Sequence, residues 1–201
     1  MSLNKLFAIT FASFGSLLLV TELALRIGYL RDSFSFGHVW NYLLLFAAYI
    51  VLLVMNIRND DRAYFGISLL VFFVGFDGFF GIGDSIEATY YYFTNGAYVA
   101  AILSFLTLFL WAGQLAMGIL TYIWCILYRS GRSNNFKLLF IFAILFVISI
   151  VLTTAATLIT TLVISPDMDR LLVLIWILYY LSQILCAIAV VFTLLRLKRL
   201  S

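Results

Sequence analysis

The sequence predicts an all-α, polytopic transmembrane bundle of six spans, with both termini on the inner side. Three observations carry this prediction. Of 201 residues, 65% are hydrophobic and only 10% charged, with a mean hydropathy of +1.14; a soluble domain carries about a quarter charged residues. Six apolar runs reach the length of about 20 residues that a helix needs to cross roughly 30 Å of hydrocarbon. Lysine and arginine are distributed unequally between the two sides of these runs.

The first run, Leu6–Leu30, is too long for a cleavable leader and holds Glu22 and Arg26, so it reads as a span. Its residues Ala8, Ala12, Gly15, Leu19, Glu22 and Arg26 share one face at three- and four-residue steps. The second, Val39–Ile57, follows the sole histidine, His38, and ends at "RNDDR". The third, Ala63–Gly83, closes on "GFDGFFGIGD", where two carboxylates and four glycines stand among phenylalanines. The fourth, Ala97–Tyr128, would reach roughly 48 Å at 1.5 Å per residue, so it must tilt or project. Its heptad stripe Ser104, Thr107, Trp111, Gln114, Gly118, Thr121 and Cys125 is the pattern of left-handed packing.

The fifth run, Phe136–Ile164, has Ser149, Thr153, Thr157 and Thr161 at four-residue steps, and "SPD" at Ser165–Asp167 ends it. The sixth, Leu171–Leu195, repeats the small and polar seam with Tyr179, Ser182, Cys186, Ala189 and Thr193, with Gln183 beside it. Helices in lipid pair through small residues and interhelical hydrogen bonds, so these stripes are read first as packing seams. The alternative is that the hydroxyls and Gln114 line a polar path. A hydroxyl that bonds its own helix needs no water, which favours packing. The seams exceed what six helices of one chain should need, and a homo-oligomer or partner subunit is expected.

Orientation follows from the charges. Lys5, Arg58, Arg62, Arg129, Arg132, Lys137, Arg196, Lys198 and Arg199 fall at one end; Arg26, Arg31 and Arg170 fall at the other. Nine against three places the first set inside. Most acids lie opposite: Glu22, Asp32, Asp77, Asp84, Glu87, Asp167 and Asp169. "TYYYF" at Thr89–Phe93 has the composition of an interfacial aromatic belt. The inner basic rim suits anionic lipid headgroups of the cytoplasmic leaflet and, alternatively, an acidic soluble cytosolic partner. "RSGRSNNFK", with Arg129, Arg132 and Lys137, is the inner loop best suited to such docking.

Asp77 is the most informative single position. It lies past the midplane of its span, at much the same depth as Glu22. A charge at the bilayer centre costs about 2.5–3.5 kcal/mol on insertion scales. The carboxyl therefore holds a proton, pairs with Arg26, or contacts water or a cation. Gly75, Gly78, Gly81 and Gly83 strip side chains from this half-helix, which suits a close helix crossing or a loosened cation site. The close crossing, with Gly75 and Gly78 as packing residues, is preferred. The polar site of interest comprises Asp77, Glu22, Arg26, Asp84 and Gln114.

Other chemistry finds little footing. One histidine excludes bis-histidine haem ligation within the chain, and Cys125 and Cys186 read as small apolar-run residues, not metal ligands. No nucleophile elbow and no phosphate-binding loop occur. No enzyme activity, no cofactor and no direct nucleic-acid binding is expected. In size and helix count the chain resembles the substrate-binding subunits of vitamin transporters of the energy-coupling-factor type; the likeness stops there, and no residue roles are carried over. The leading functional expectation is a non-enzymatic membrane subunit, a sensor or scaffold that couples the bilayer to a cytosolic partner through the basic rim. The rival is a channel or transporter for a small cation or solute that uses Asp77 and Glu22. Short loops and missing Asn-x-Ser/Thr sequences point to a bacterial inner (plasma) membrane.

Overall fold

The computed structural model describes residues 2–29, 36–132, 135–164 and 169–198. They form six helices: α1 Leu3–Tyr29, α2 Phe36–Ile57, α3 Ala63–Thr94, α4 Tyr98–Arg129, α5 Phe136–Ile164 and α6 Arg170–Lys198. No strand occurs among the described residues. Five of the helices are long and apolar enough to cross a membrane; α2 offers a shorter apolar stretch, Tyr42–Ile57. The fold is compatible with an integral membrane protein. Arg31, Asp32, Arg199, the Ser165–Asp167 segment and the side chain of His38 lie outside the described residues.

Each helix packs against its neighbours in sequence, α6 returns to α1, and α3 meets α6 across the ring. The seams explain why. On α1 the buried residues are Ala8, Ala12, Gly15, Ser16, Leu19 and Glu22. On α4 they include every member of the stripe from Ser104 to Cys125. On α6 the buried set includes Ser182, Gln183, Cys186, Ala189 and Thr193. Small and polar edges thus face inward and large apolar side chains, such as Phe14, Phe79 and Ile159, face out. These seams are filled by the chain's own helices, so they no longer require a second copy. Between them sits an apolar core with Tyr49, Leu52, Ile67, Leu70, Phe146 and Leu194.

One boundary departs strongly from the sequence reading. α3 does not stop at Gly83; it continues through "DSIEATYYYFT" to Thr94. Three of the glycines that weaken a free helix, Gly75, Gly78 and Gly81, are where α4 comes close. A methyl group added at Gly118 would lie 2.8 Å from the Cα of Gly75. One added at Gly78 would lie 3.0 Å from the carbonyl oxygen of Trp111, and the Trp111 indole occupies the space a Gly81 side chain would need. Packing against α4 therefore outweighs a propensity cost of about 1 kcal/mol per glycine. The α3–α4 connection shrinks to Asn95–Ala97, with Gly96 at φ +75°. At 32 residues each, the two helices reach roughly 48 Å, and roughly 18 Å of the pair exceeds a 30 Å hydrocarbon layer.

The end that carries most of the basic residues is tied together by three of them. Arg196 is 2% exposed and donates to the side-chain oxygen of Asn59 at 3.0 Å and to the Asp60 carbonyl at 2.9 Å. Lys5 Nζ donates to the Ile57 carbonyl at 3.0 Å, and Lys198 lies 5.4 Å from the centroid of the Phe136 ring. Arg196 thus corrects one expectation: it is a buried clamp on the α2–α3 turn, not part of a docking surface. Arg58, Arg62, Arg129, Arg132, Lys137 and Lys198 remain exposed.

Candidate functional site

Towards the opposite end of the ring, a buried acid, Glu22, and a half-buried one, Asp77, meet different partners. Glu22 on α1 is 0% exposed. Arg26, one turn along the same helix, donates from Nε to Glu22 Oε1 at 2.6 Å, and the Tyr42 hydroxyl donates to the same oxygen at 3.0 Å. The Arg26 guanidinium also lies 5.4 Å from the centroid of the Tyr42 ring. Asp77 on α3 receives the Tyr179 hydroxyl at 2.9 Å and the Gln183 amide at 2.8 Å, both on Oδ2. Glu22 and Arg26 thus form an ion pair within α1. The expected alternative of an Asp77–Arg26 pair is therefore not what the fold builds, because Arg26 is used by the acid on its own helix. The Tyr42 and Tyr179 rings, 5.5 Å apart, join the two groups.

The same face of α3 leads from Asp77 into a cavity. Gly81, Asp84, Ser85, Ala88 and Tyr92 follow Asp77 at four, seven, eight, eleven and fifteen residues, steps that keep one side of a helix. They line a cavity of about 350 Å³ together with Ser104, Thr107 and Trp111 from α4. Its other wall is Thr157, Thr160 and Thr161 from α5 with Trp176 and Tyr180 from α6. Asp77 stands roughly 21 Å along α3 from Ala63, and the cavity begins one turn further on, near the limit of a 30 Å layer. Trp111 caps the deep end: its indole rests on Gly81, and its ring centroid lies 6.4 Å from that of Tyr180. Ser85 and Thr107 hydroxyls are 3.3 Å apart in the wall, and the Thr157 hydroxyl lies within hydrogen-bonding reach of Tyr180. A second hollow of about 460 Å³ lies over Gly75 and Gly118, and its lining is almost wholly apolar, with Phe72 and Phe76 facing outward.

The α5 hydroxyl stripe divides between the two roles considered for it. Ser149 donates to the Phe146 carbonyl, and Thr153 bonds the carbonyls of Ser149 and, across the interface, Leu110 at 3.2 Å. Thr157 and Thr161, further along, line the cavity. Gln114, for which a polar path is the alternative to packing, donates to the Val74 carbonyl at 3.0 Å and is 1% exposed, so it clamps α4 to α3. At the rim, the Tyr29 hydroxyl donates to Asp169 at 2.6 Å. That bond, with one from the Leu171 N–H, holds the Asp169 carboxyl below the usual carboxylate range. Among the described residues no group of three or more His, Cys, Asp or Glu could hold a metal ion.

Sequence reasoning missed Tyr42, Tyr92, Trp176 and Tyr180 as site residues. A signal existed for two of them: Trp176 and Tyr180 are four apart on α6, one helical face, beside the Tyr179 of the recognised seam. Nothing local marked Tyr42, whose role depends on where α2 falls against α1. No protein-family model, characterised protein or solved structure matches the chain.

Proposed function

We propose that the chain is a six-span integral membrane protein, both termini inside, that admits a small cation or polar solute from the outer side. The observation that carries this reading is the cavity between the outer halves of α3, α4, α5 and α6, with a half-buried acid one turn beneath it. Hydroxyls and ring nitrogens offer a solute partners where bulk water ends, and Asp84 gives the mouth a negative charge. Asp77, held by neutral donors, is the charge a moving cation or proton would meet next. The basic inner rim fixes the orientation and contacts anionic lipid, which fits a bacterial inner membrane. No covalent chemistry is part of this role.

Uptake into liposomes tests it. Proteoliposomes should take up at least one of labelled choline, glucose or sodium faster than empty liposomes, and Asp77→Asn should abolish that uptake. Uptake equal to empty liposomes for all three would remove the reading. A second reading, a sensor or scaffold with a soluble partner, is favoured by the exposure of Arg129, Arg132 and Lys137 around the α4–α5 turn. A partner recovered in mild detergent and lost on charge reversal of these three would support it.

A further inference from the structure

The composition of the cavity is selective about its occupant. Four aromatic side chains border it, Trp111 and Tyr92 on one side, Trp176 and Tyr180 on the other. The faces of such rings attract cations, tryptophan most strongly. Asp84 supplies one carboxylate, and among the described lining residues there is no lysine, arginine or histidine. One carboxylate is too few hard oxygens for a calcium-like ion, which takes six to eight. A carbohydrate would be expected to meet several side-chain amides or carboxylates that fix its hydroxyls, and the wall offers hydroxyls in their place. A volume of about 350 Å³ holds a small organic molecule with room for water.

We propose that the cavity binds a small organic ammonium, its methylated or protonated nitrogen against the Trp176 and Tyr180 rings and its charge balanced by Asp84. The proposal rests on the solute-binding reading above and names the ligand class. The same nitrogen chemistry is offered by a free solute and by the headgroup of a choline lipid, since the cavity opens near the depth of lipid headgroups.

The test is calorimetric titration of the full chain in nanodiscs made only of phosphatidylglycerol. Choline should bind at least about tenfold more tightly than 3,3-dimethylbutanol, its neutral isostere, because cation–π attraction and the carboxylate act on charge alone. Trp176→Ala and Asp84→Asn should each weaken choline about tenfold and leave the isostere unchanged. If the alanine variant does not fold, Trp176→Phe should give a smaller loss in the same direction. Adding phosphatidylcholine to the discs distinguishes the sources: unchanged choline binding indicates a free solute, and competition indicates a lipid headgroup. Isostere binding as tight as choline, or glucose binding in place of both, would overturn the ammonium class while the cavity stands as a solute site. No binding of choline, isostere or glucose would remove the ammonium proposal; the solute reading then fails separately only if uptake also equals that of empty liposomes.

Discussion

Glu22 and Asp77 occupy neighbouring places in the ring, yet the fold treats them as different objects. Glu22 has a cation one turn away, a tyrosine hydroxyl on the same oxygen, and no exposure. Asp77 has two neutral donors and lies one turn below a polar cavity. A buried ion pair contributes little net stability, but breaking one by removing a partner is costly. An acid held by neutral donors keeps those bonds when it becomes an amide. The difference separates an acid that closes the structure from one that, in the proposed role, meets a passing ion or proton.

The largest expected effect tests the first half of that contrast. Arg26→Met leaves Glu22 buried without its cation and should cost about 3–5 kcal/mol in unfolding experiments. Glu22→Gln in the same protein should restore most of the loss, and if it does not, the pair is not the cause. A smaller loss is expected at the crossing that positions Asp77. Gly118→Ala places a methyl against the Gly75 backbone and should cost about 1–3 kcal/mol, seen as a lower thermal midpoint. An unchanged midpoint would mean that α3 and α4 are not so closely pressed.

Asp77→Asn should cost less than about 1 kcal/mol, since an amide oxygen still accepts from Tyr179 and Gln183. A loss as large as that of Arg26→Met would erase the distinction between the acids. The smallest effect lies outside the bilayer region. Asp169 has a lowered folded value, so its bond with Tyr29 favours folding above the unfolded value of about 3.9. That contribution fades as the pH falls through the folded value. Tyr29→Phe should flatten this part of the acid-unfolding curve and change little at neutral pH; an unaltered curve would show that the contact does not persist in solution.

Much of the architecture could be read from the residues because lipid leaves packing few means. The α1, α4 and α6 seams were visible as small and polar residues at helical spacing, and those from Ala8 to Glu22 and from Ser104 to Cys125 are buried. The end of α3 could not be read the same way. Glycines at 75, 78, 81 and 83 signal a weak helix locally, and only the presence of Gly118 and Trp111 opposite the first three turns that signal into a close crossing. Asp77 and Asp84 were legible as unusual acids, whereas the cavity beside them was not. Its wall depends on α5 threonines, α6 aromatics and the extended α3 meeting at one level, which no single stretch of sequence specifies. Gln114 and Arg196 show the converse: polar residues in conspicuous places whose bonds are spent on the backbone of a neighbour.

The contrast between the two acids is tested most directly by measuring solute uptake into liposomes for Asp77→Asn beside the Glu22→Gln/Arg26→Met double variant. Uptake should vanish in the first and persist in the second, both being folded. Uptake retained by Asp77→Asn and lost in the double variant would contradict the assignment of roles.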